Sequence, residues 1–295
     1  MKTLFSIMIF LCASSSWSCL YFDKNFDRKL FNETEREAFL FRDKEAVNLV
    51  LKTGFKGQLP PTLAWVFPLP SKPLSYKEVD MEVFDELREL FNIKHLSNRG
   101  SDNLTLSAPA HSAAKTIAIH QQVNVGNYEI IPIEILSEHG SGDELNNWLK
   151  NQNFIELPPR IQKPYLKKGA YFLAIRLKPQ GSDMNLKPLL VRYKSETMSF
   201  PIRFTHDERT FDFTLYMLGP SATLAGTGFG RIDTICLKKQ NPFENNEKLK
   251  GLTASAKEAN VLYQFKAEGI NKYIQTAKLS QDPELLEKNK SSWCK

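Results

Sequence analysis

Side chains capable of chemistry are scattered thinly along this 295-residue chain. Its five histidines are His95, His111, His120, His139 and His206, and none lies in an H-E-x-x-H run. C-x-x-C pairs are absent too, so neither a metalloprotease helix nor a zinc ribbon is encoded. His111 and His120 could converge in space, but their separation carries no ligand signature. The histidines read as surface or hydrogen-bonded residues. A hydrolase elbow would need G-x-S-x-G on a strand-to-helix turn, and the chain has none. Ser, His and Asp are all present, so a site assembled from distant residues stays open as a rival reading. Glu129 with Glu134, or Asp207 with Glu208, offer paired carboxylates for glycoside chemistry, without a local signature for it. No catalytic, cofactor-binding or metal-ligating residue is assigned, and no cofactor is expected.

Two further features invite a functional reading. Gly226-Thr227-Gly228-Phe229-Gly230 is glycine-rich, but Arg231 stands where a dinucleotide fingerprint needs its third glycine. No P-loop Lys-Ser/Thr follows, and Ile232 to Leu237 reads as strand. The run is expected to be a turn or bulge in which glycine tolerates positive φ. In Ala64 to Pro70 (AWVFPLP), Trp65 and Phe67 alternate with Val66. They could form an exposed ligand platform; core packing is the ordinary role of such residues and is the reading adopted.

The start of the chain gives an address. Lys2 supplies a positive charge and Leu4 to Leu11 an apolar stretch, followed by small residues from Ala13 to Ser16. This is the pattern of a secretory signal peptide over residues 1–18, too short to span a bilayer. Ser16 and Ser18 are small at the positions a signal peptidase needs, placing the cut between Ser18 and Cys19. Alternatively Cys19 carries lipid, although Trp17 fits a lipobox badly. Cys12 leaves with the signal, so Cys19, Cys236 and Cys294 remain, an odd number for an oxidising compartment. If Cys19 is lipidated, Cys236 and Cys294 are left as one disulfide. Otherwise any of the pairings is open and one thiol is spare.

Composition narrows the partners. Lys and Arg number 39 against 33 Asp and Glu, for a net +6, and the charge is dispersed. Lys167-Lys168 and Lys238-Lys239 are the short basic runs, and they read first as solvated surface. If all four share one face, weak binding to acidic envelope polymers becomes a third reading. Nucleic acid is not an expected partner, because there is no basic-aromatic repeat. No second apolar stretch could cross a membrane, which leaves lipid at Cys19 or a partner for attachment. With 42% hydrophobic residues the chain can bury a sizeable core.

The elements that would position these residues read mainly as strands. Period-two alternation marks Val47 to Leu51, Tyr171 to Leu177, Leu189 to Tyr193, Phe200 to Phe204 and Phe211 to Met217, each with one side on the core. Asp43-Lys44-Glu45 looks like a hairpin tip. Pro132 and Pro201 each remove an amide donor, which puts their strands at an edge or a bulge. Ser75 and Glu78 form an S-x-x-E capping box ahead of the helical face Val79, Val83, Phe84, Leu87, Leu90 and Phe91. Ser141 and Glu144 repeat it before Leu145, Trp148 and Leu149. Asn-, Gly- and Ser-rich residues around 96–109 suggest a loop. Past Pro242, the Lys/Glu/Ala-rich tail carries Val261, Leu262, Phe265, Ile270, Tyr273 and Ile274 at helical spacing.

Several segments together resemble a known family. They are AWVFPLP with the helix after it, VGNYEI (125–130), DELNNWLKNQNF (143–154), PYLKKGAYFLAIRL (164–177) and FPIRF (200–204). The combination is similar to the exported bacterial proteins grouped as domain of unknown function 2330, over roughly Cys19 to Leu218. The resemblance implies a bacterial source, export and an envelope location, and it supplies no activity or catalytic residue. Members often have a cysteine cluster after the signal and a C-terminal anchor, whereas this chain keeps Cys19 and shows no terminal span.

The expected architecture is α+β: a β-rich body of mostly antiparallel strands over 19–240, a few capped helices, and a helical appendage over 241–295. The expected function is a non-enzymatic envelope protein that binds or positions an envelope protein or polymer, with an extracytoplasmic hydrolase of dispersed site as its rival.

Overall fold

The computed structural model describes residues 20–22, 31–57, 63–92, 115–154, 156–178, 186–204, 211–226, 230–237, 243, 245–269, 282–286 and 294. In chain order the strands are β1 (Leu20–Phe22), β2 (Phe31–Arg42), β3 (Val47–Gly57), β4 (Leu63–Leu69) and β5 (Pro73–Glu78). Helix α1 (Glu82–Asn92) precedes β6 (Ile117–Ile119), β7 (Val123–Val125) and β8 (Tyr128–Ile135). Helices α2 (Ser141–Asn151) and α3 (Pro159–Gln162) lead to β9 (Tyr171–Leu177), β10 (Leu189–Tyr193) and β11 (Met198–Ser199). The remainder is β12 (Asp212–Gly219), β13 (Thr223–Ala225), β14 (Arg231–Cys236), α4 (Glu247–Leu252), β15 (Val261–Ala267) and β16 (Glu284–Leu286).

These strands build a six-stranded sheet ordered β1-β4-β9-β8-β6, with β7 also on β8, and a seven-stranded sheet ordered β14-β15-β12-β2-β3-β10-β5. A small third sheet has the order β11-β16-β13. The described pairings are antiparallel except β12 with β2, so the β-rich α+β expectation holds. The two large sheets face each other. Ala38, Leu40, Leu49, Val191, Leu215 and Phe265 from one meet Trp65, Ile130, Leu173 and Ile175 from the other in one core.

Both sheets are also covered on their outer faces. Helix α1 lays Val83, Phe84, Leu87 and Phe91 on Phe39, Phe41, Val50 and Tyr216. Helix α2 lays Leu145 and Leu149 on Val66, Ile133, Phe172 and Ala174. The layers therefore run helix, sheet, sheet, helix. The second side of strands such as β9 is not solvated as the alternation suggested: Phe172 and Ala174 are as buried as Leu173 and Ile175. A large side chain such as Phe172 contributes about 1.5–3 kcal/mol on burial, which is why the outer helices are integral to the fold.

Local chemistry explains the connections. The Asp43 hairpin tip is present: Asp43 Oδ1 accepts from the amides of Glu45 (2.9 Å) and Ala46 (2.8 Å), closing an Asx turn. Pro132 sits in β8 at the break between β6 and β7, where its carbonyl accepts from the His120 amide at 2.9 Å. A residue without N–H is tolerated at such an interruption. Trp65 is buried in the core, as expected of AWVFPLP. Gly226 has φ +71°, and a Cβ there would lie 2.4 Å from the Asp282 carbonyl, so the expected turn also needs close backbone approach. Residues 227–229 and the loop around 96–109 lie outside the described residues.

Four expectations are corrected. Ser75 and Glu78 do not cap a helix; they belong to β5, and α1 starts at Glu82. Glu78 instead accepts the Asn127 amide at 2.9 Å. Ser141 lies inside α2, whose N-cap is Gly140, while Glu144 accepts from the Thr116 amide at 2.8 Å. Phe200 to Phe204 is not a strand: Ile202–Phe204 forms a 3-10 turn after Pro201. Most consequentially, the helical appendage over 241–295 is replaced, where described, by one short helix and two strands. Strand β15 pairs with both β12 and β14. The run VLYQFKA keeps a strand alternation through Val261, Tyr263, Phe265 and Ala267, but Val261, Leu262 and Phe265 also fit helical spacing, and the open slot in the sheet decides. Residues 270–281 lie outside the described set.

Candidate functional site

The inner face of a β-sandwich should be apolar along its whole length. At one mouth of the inter-sheet space it is not. In β8 the inward phase runs Tyr128, Ile130, Pro132, Glu134, so a carboxylate occupies a core-phase position. Register sets Glu134 opposite Tyr171 of β9, and the bend between β6 and β7 brings His120 over both. His120 Nε2 and Glu134 Oε2 are 2.9 Å apart. The imidazole stacks on the Tyr171 ring with centroids at 5.5 Å, and the Tyr171 hydroxyl donates to Glu134.

That hydroxyl, then burial opposing it, then His120, hold the Glu134 carboxyl below the usual range. Burial and the neighbouring carboxylate push the Tyr171 phenol up. The ionised carboxylate therefore accepts from His120 Nε2–H and leaves Nδ1 without a partner among the described residues.

Facing this group is β5, the last strand of the seven-stranded sheet. Between them lies a cleft of about 370 Å³, lined by Lys72, Pro73, Leu74, Ser75 and Tyr76 on one side and by His120, Val123, Pro132 and Tyr171 on the other. The Tyr76 hydroxyl is buried and has no hydrogen-bond partner among the described residues, an arrangement that costs about 1–3 kcal/mol unless something fills it. Glu78 ties the strand to the β7–β8 turn, where Gly126 has φ +52° and leaves no room for a Cβ beside the carboxylate. The Tyr128 hydroxyl donates to the Lys187 carbonyl at 2.6 Å. Both walls of the cleft are thus held by hydrogen bonds.

Three other polar clusters are internally paired, while Arg42 Nε, Gln162 Oε1 and Asn260 Oδ1 are, like the Tyr76 hydroxyl, buried without a hydrogen-bond partner among the described residues. On the outer face of β8, Glu129 pairs with Arg176 at 2.8 Å and with Lys178. Arg176 also donates to the Gln152 carbonyl at 2.7 Å and lies over Phe154, fastening the end of α2. Asp282 accepts from the Tyr165 hydroxyl at 2.9 Å and the Arg203 amide at 3.0 Å. Glu37 is clasped by Lys52 and by Arg88 of α1. A small apolar crevice of about 60 Å³ is lined by Trp65, Phe67, Phe200 and Phe204, with Arg36 at its edge.

The sequence-based candidates scatter accordingly. Glu129 and Glu134 lie on opposite faces of β8, so they cannot act as a glycosidase pair. His120 is in the cleft with Glu134; His139 precedes α2. His95, His111, His206, Asp207, Glu208, Lys238 and Lys239 lie outside the described residues, as do Ser18 and Cys19 of the processing site. Ser75 lines the cleft, with no hydrogen bond to His120 among the described residues. Tyr76 and Tyr171 were not singled out from sequence; the one available signal was a glutamate in the core phase of β8. Cys236 and Cys294 are joined in a disulfide with Cα atoms 5.6 Å apart, which fits an oxidising compartment. No described helix is long and apolar enough to cross a membrane, and no cluster of three metal-ligating side chains occurs among the described residues.

Comparison with known proteins adds the following. Cleaved baculovirus P35 shares 12% identity over 81% of this chain and 93% of its own, with a TM-score of 0.44. Another baculovirus P35 structure shares 14% over 70% and 76%, with a TM-score of 0.43. No curated protein matches the chain. A bacterial family described as an uncharacterized protein conserved in bacteria, domain of unknown function 2330, matches residues 14–227. The chain belongs to that family.

Proposed function

We propose that this is an exported bacterial cell-envelope protein that binds a ligand without transforming it, in the mouth between β5 and the β6–β8 segment. One observation carries the reading: a hydrogen-bonded His120–Glu134–Tyr171 group stands beside a cleft lined by His120, Tyr171 and Tyr76, and the buried Tyr76 hydroxyl has no hydrogen-bond partner among the described residues. Polar groups on an otherwise apolar inner face, around a concave space, are what a ligand site needs. Export rests on the signal-like residues 1–18, and attachment, if the protein is anchored, on lipid at Cys19.

The hydrolase reading draws on one specific observation, that Ser75 and His120, the latter hydrogen-bonded to Glu134, both line the cleft. It lacks the nucleophile-to-base hydrogen bond that such chemistry uses. Two measurements test the proposal. The intact mass of protein from the host's membrane and soluble fractions should begin at Cys19, with acyl mass if it is anchored. Fragment screening by NMR should place hits on His120, Tyr76 and Tyr171, and Glu134→Gln should abolish them. Hits confined to other surfaces refute the site. Turnover of a chromogenic ester, lost in both Ser75→Ala and His120→Ala, would establish the hydrolase instead.

A further inference from the structure

We infer that the Cys236–Cys294 disulfide is a latch on a peptide slot. Closed, it keeps the tail strand β16 seated between β11 and β13. Opened by a dithiol reductant, it releases that strand and leaves the slot to another extended peptide. None of the residues that line the mouth takes part.

Strand β16 runs antiparallel to both neighbours, with Leu285 opposite Met198 of β11 on one side and Leu224 of β13 on the other. The residues just before it are gripped by the body. The Asp282 carboxylate accepts from the Tyr165 hydroxyl at 2.9 Å, from the Arg203 amide at 3.0 Å and from Arg203 Nε at 3.4 Å. The Pro283 carbonyl accepts from the Phe200 amide at 2.9 Å. Leu285 is buried in the core between the large sheets, together with Met198 and Leu224. A clasp for an acidic side chain, an amide for a backbone carbonyl, two strand edges and a leucine pocket are the parts of a site that binds by strand addition. Its ligand here is the chain's own Asp282-Pro283-Glu284-Leu285-Leu286. The body residues that hold it, from Tyr165 to Ala225, lie within the family match, and the strand lies outside it.

Reach keeps the strand in place as well as contact. Strand β16 has 3 residues against 7 in β15, so it opens locally at lower cost than the body. The disulfide ties the chain to β14 shortly after Leu286, and β15 ties it on the other side. A strand that lifts out while both ties hold stays at high effective concentration and returns. With the disulfide cut that concentration falls, and a second peptide can compete. Cys236 is partly exposed on β14, the last strand of its sheet, so the bond is approachable from the sheet edge. Opening is a two-electron step. The dithiol gives two electrons and two protons, the S–S bond breaks to two thiols, and the reductant leaves as its own disulfide.

Amide hydrogen exchange on the full chain tests the latch in three forms: oxidised, reduced with dithiothreitol, and Cys236→Ser with Cys294→Ser. Opening the bond should speed exchange of the Phe200 and Arg203 amides, whose acceptors belong to the tail, by roughly tenfold to a hundredfold. The amides of β9 should be unchanged. A labelled Asp-Pro-Glu-Leu-Leu peptide should bind the reduced chain and the double variant about tenfold or more tightly than the oxidised chain. Alanine in place of its first leucine should abolish that binding. Unchanged Phe200 and Arg203 exchange after complete reduction, verified by the added mass of a pair of hydrogens, overturns the latch. Loss of β9 protection at the same time also overturns it, because the bond would then staple the whole fold. Local release with no peptide bound overturns the slot.

Discussion

Glu129 and Glu134 stand five positions apart on one strand, β8, and the two faces of the six-stranded sheet treat them differently. On the outer face Glu129 meets Arg176 and Lys178, and Arg176 continues to the end of α2. Each charge there has an opposite partner, and the cluster fastens a helix to a sheet. On the inner face Glu134 meets an imidazole and a phenol beside open space, and the nearby Tyr76 hydroxyl is left over. Satisfied buried polar groups hold a fold together, whereas unsatisfied ones beside a cavity mark where something else must come.

The predictions that would break this contrast begin with the largest effect. Cys236→Ser opens a link across 58 residues of sequence and should cost about 4 kcal/mol of unfolding free energy by the loop-entropy argument. It sets the scale for the rest in denaturant titrations. Arg176→Met leaves Glu129 with Lys178 as its one remaining partner and frees the end of α2. A loss of about 2–3 kcal/mol is expected, with fragment binding at the mouth intact; a variant as stable as the parent would show that the outer face is not a structural clamp.

Acid titration comes next. Hydrogen bonds from Lys178, opposed by burial and then joined by Arg176, lower the Glu129 carboxyl, and Glu134 is lowered too. Their stabilisation is complete above the unfolded value near 4.3 and fades as pH falls through the depressed folded values. Glu129→Gln should flatten that acid limb of the stability profile. Asp282 has the opposite sign, because burial outweighs Arg203 and raises its carboxyl. Its contribution is present below about 3.9 and is lost as pH rises through the raised folded value. Asp282→Asn should remove the decline on that side, and an unchanged profile would argue against a strained carboxylate there. The smallest stability effect belongs to the mouth. Tyr76→Phe removes the unpaired buried hydroxyl and should raise the unfolding free energy by about 1 kcal/mol while changing ligand affinity, opposite in sign to Arg176→Met.

Much of the scaffold was legible because alternation and turn chemistry are local. Strands β9 and β10, the Asp43 turn and the buried Trp65 needed no tertiary information. Both capping boxes failed for one reason: Glu78 and Glu144 found backbone amides on distant segments, at Asn127 and Thr116, in place of the local ones. Strand β15 fits helical spacing at Val261, Leu262 and Phe265 as well as strand alternation at Val261, Tyr263, Phe265 and Ala267, and a run that satisfies both periods is decided by its neighbours in the sheet.

The sequence by itself determined that this chain is β-rich and without a local metal or nucleophile motif. It also left Cys236 and Cys294 available to each other. Only the tertiary structure decided that they pair, that the tail supplies a strand of the large sheet, and that Glu134 meets His120 and Tyr171 rather than Glu129. Those outcomes depend on register and on which face of a sheet stays open, and both are set by contacts between segments far apart in the chain.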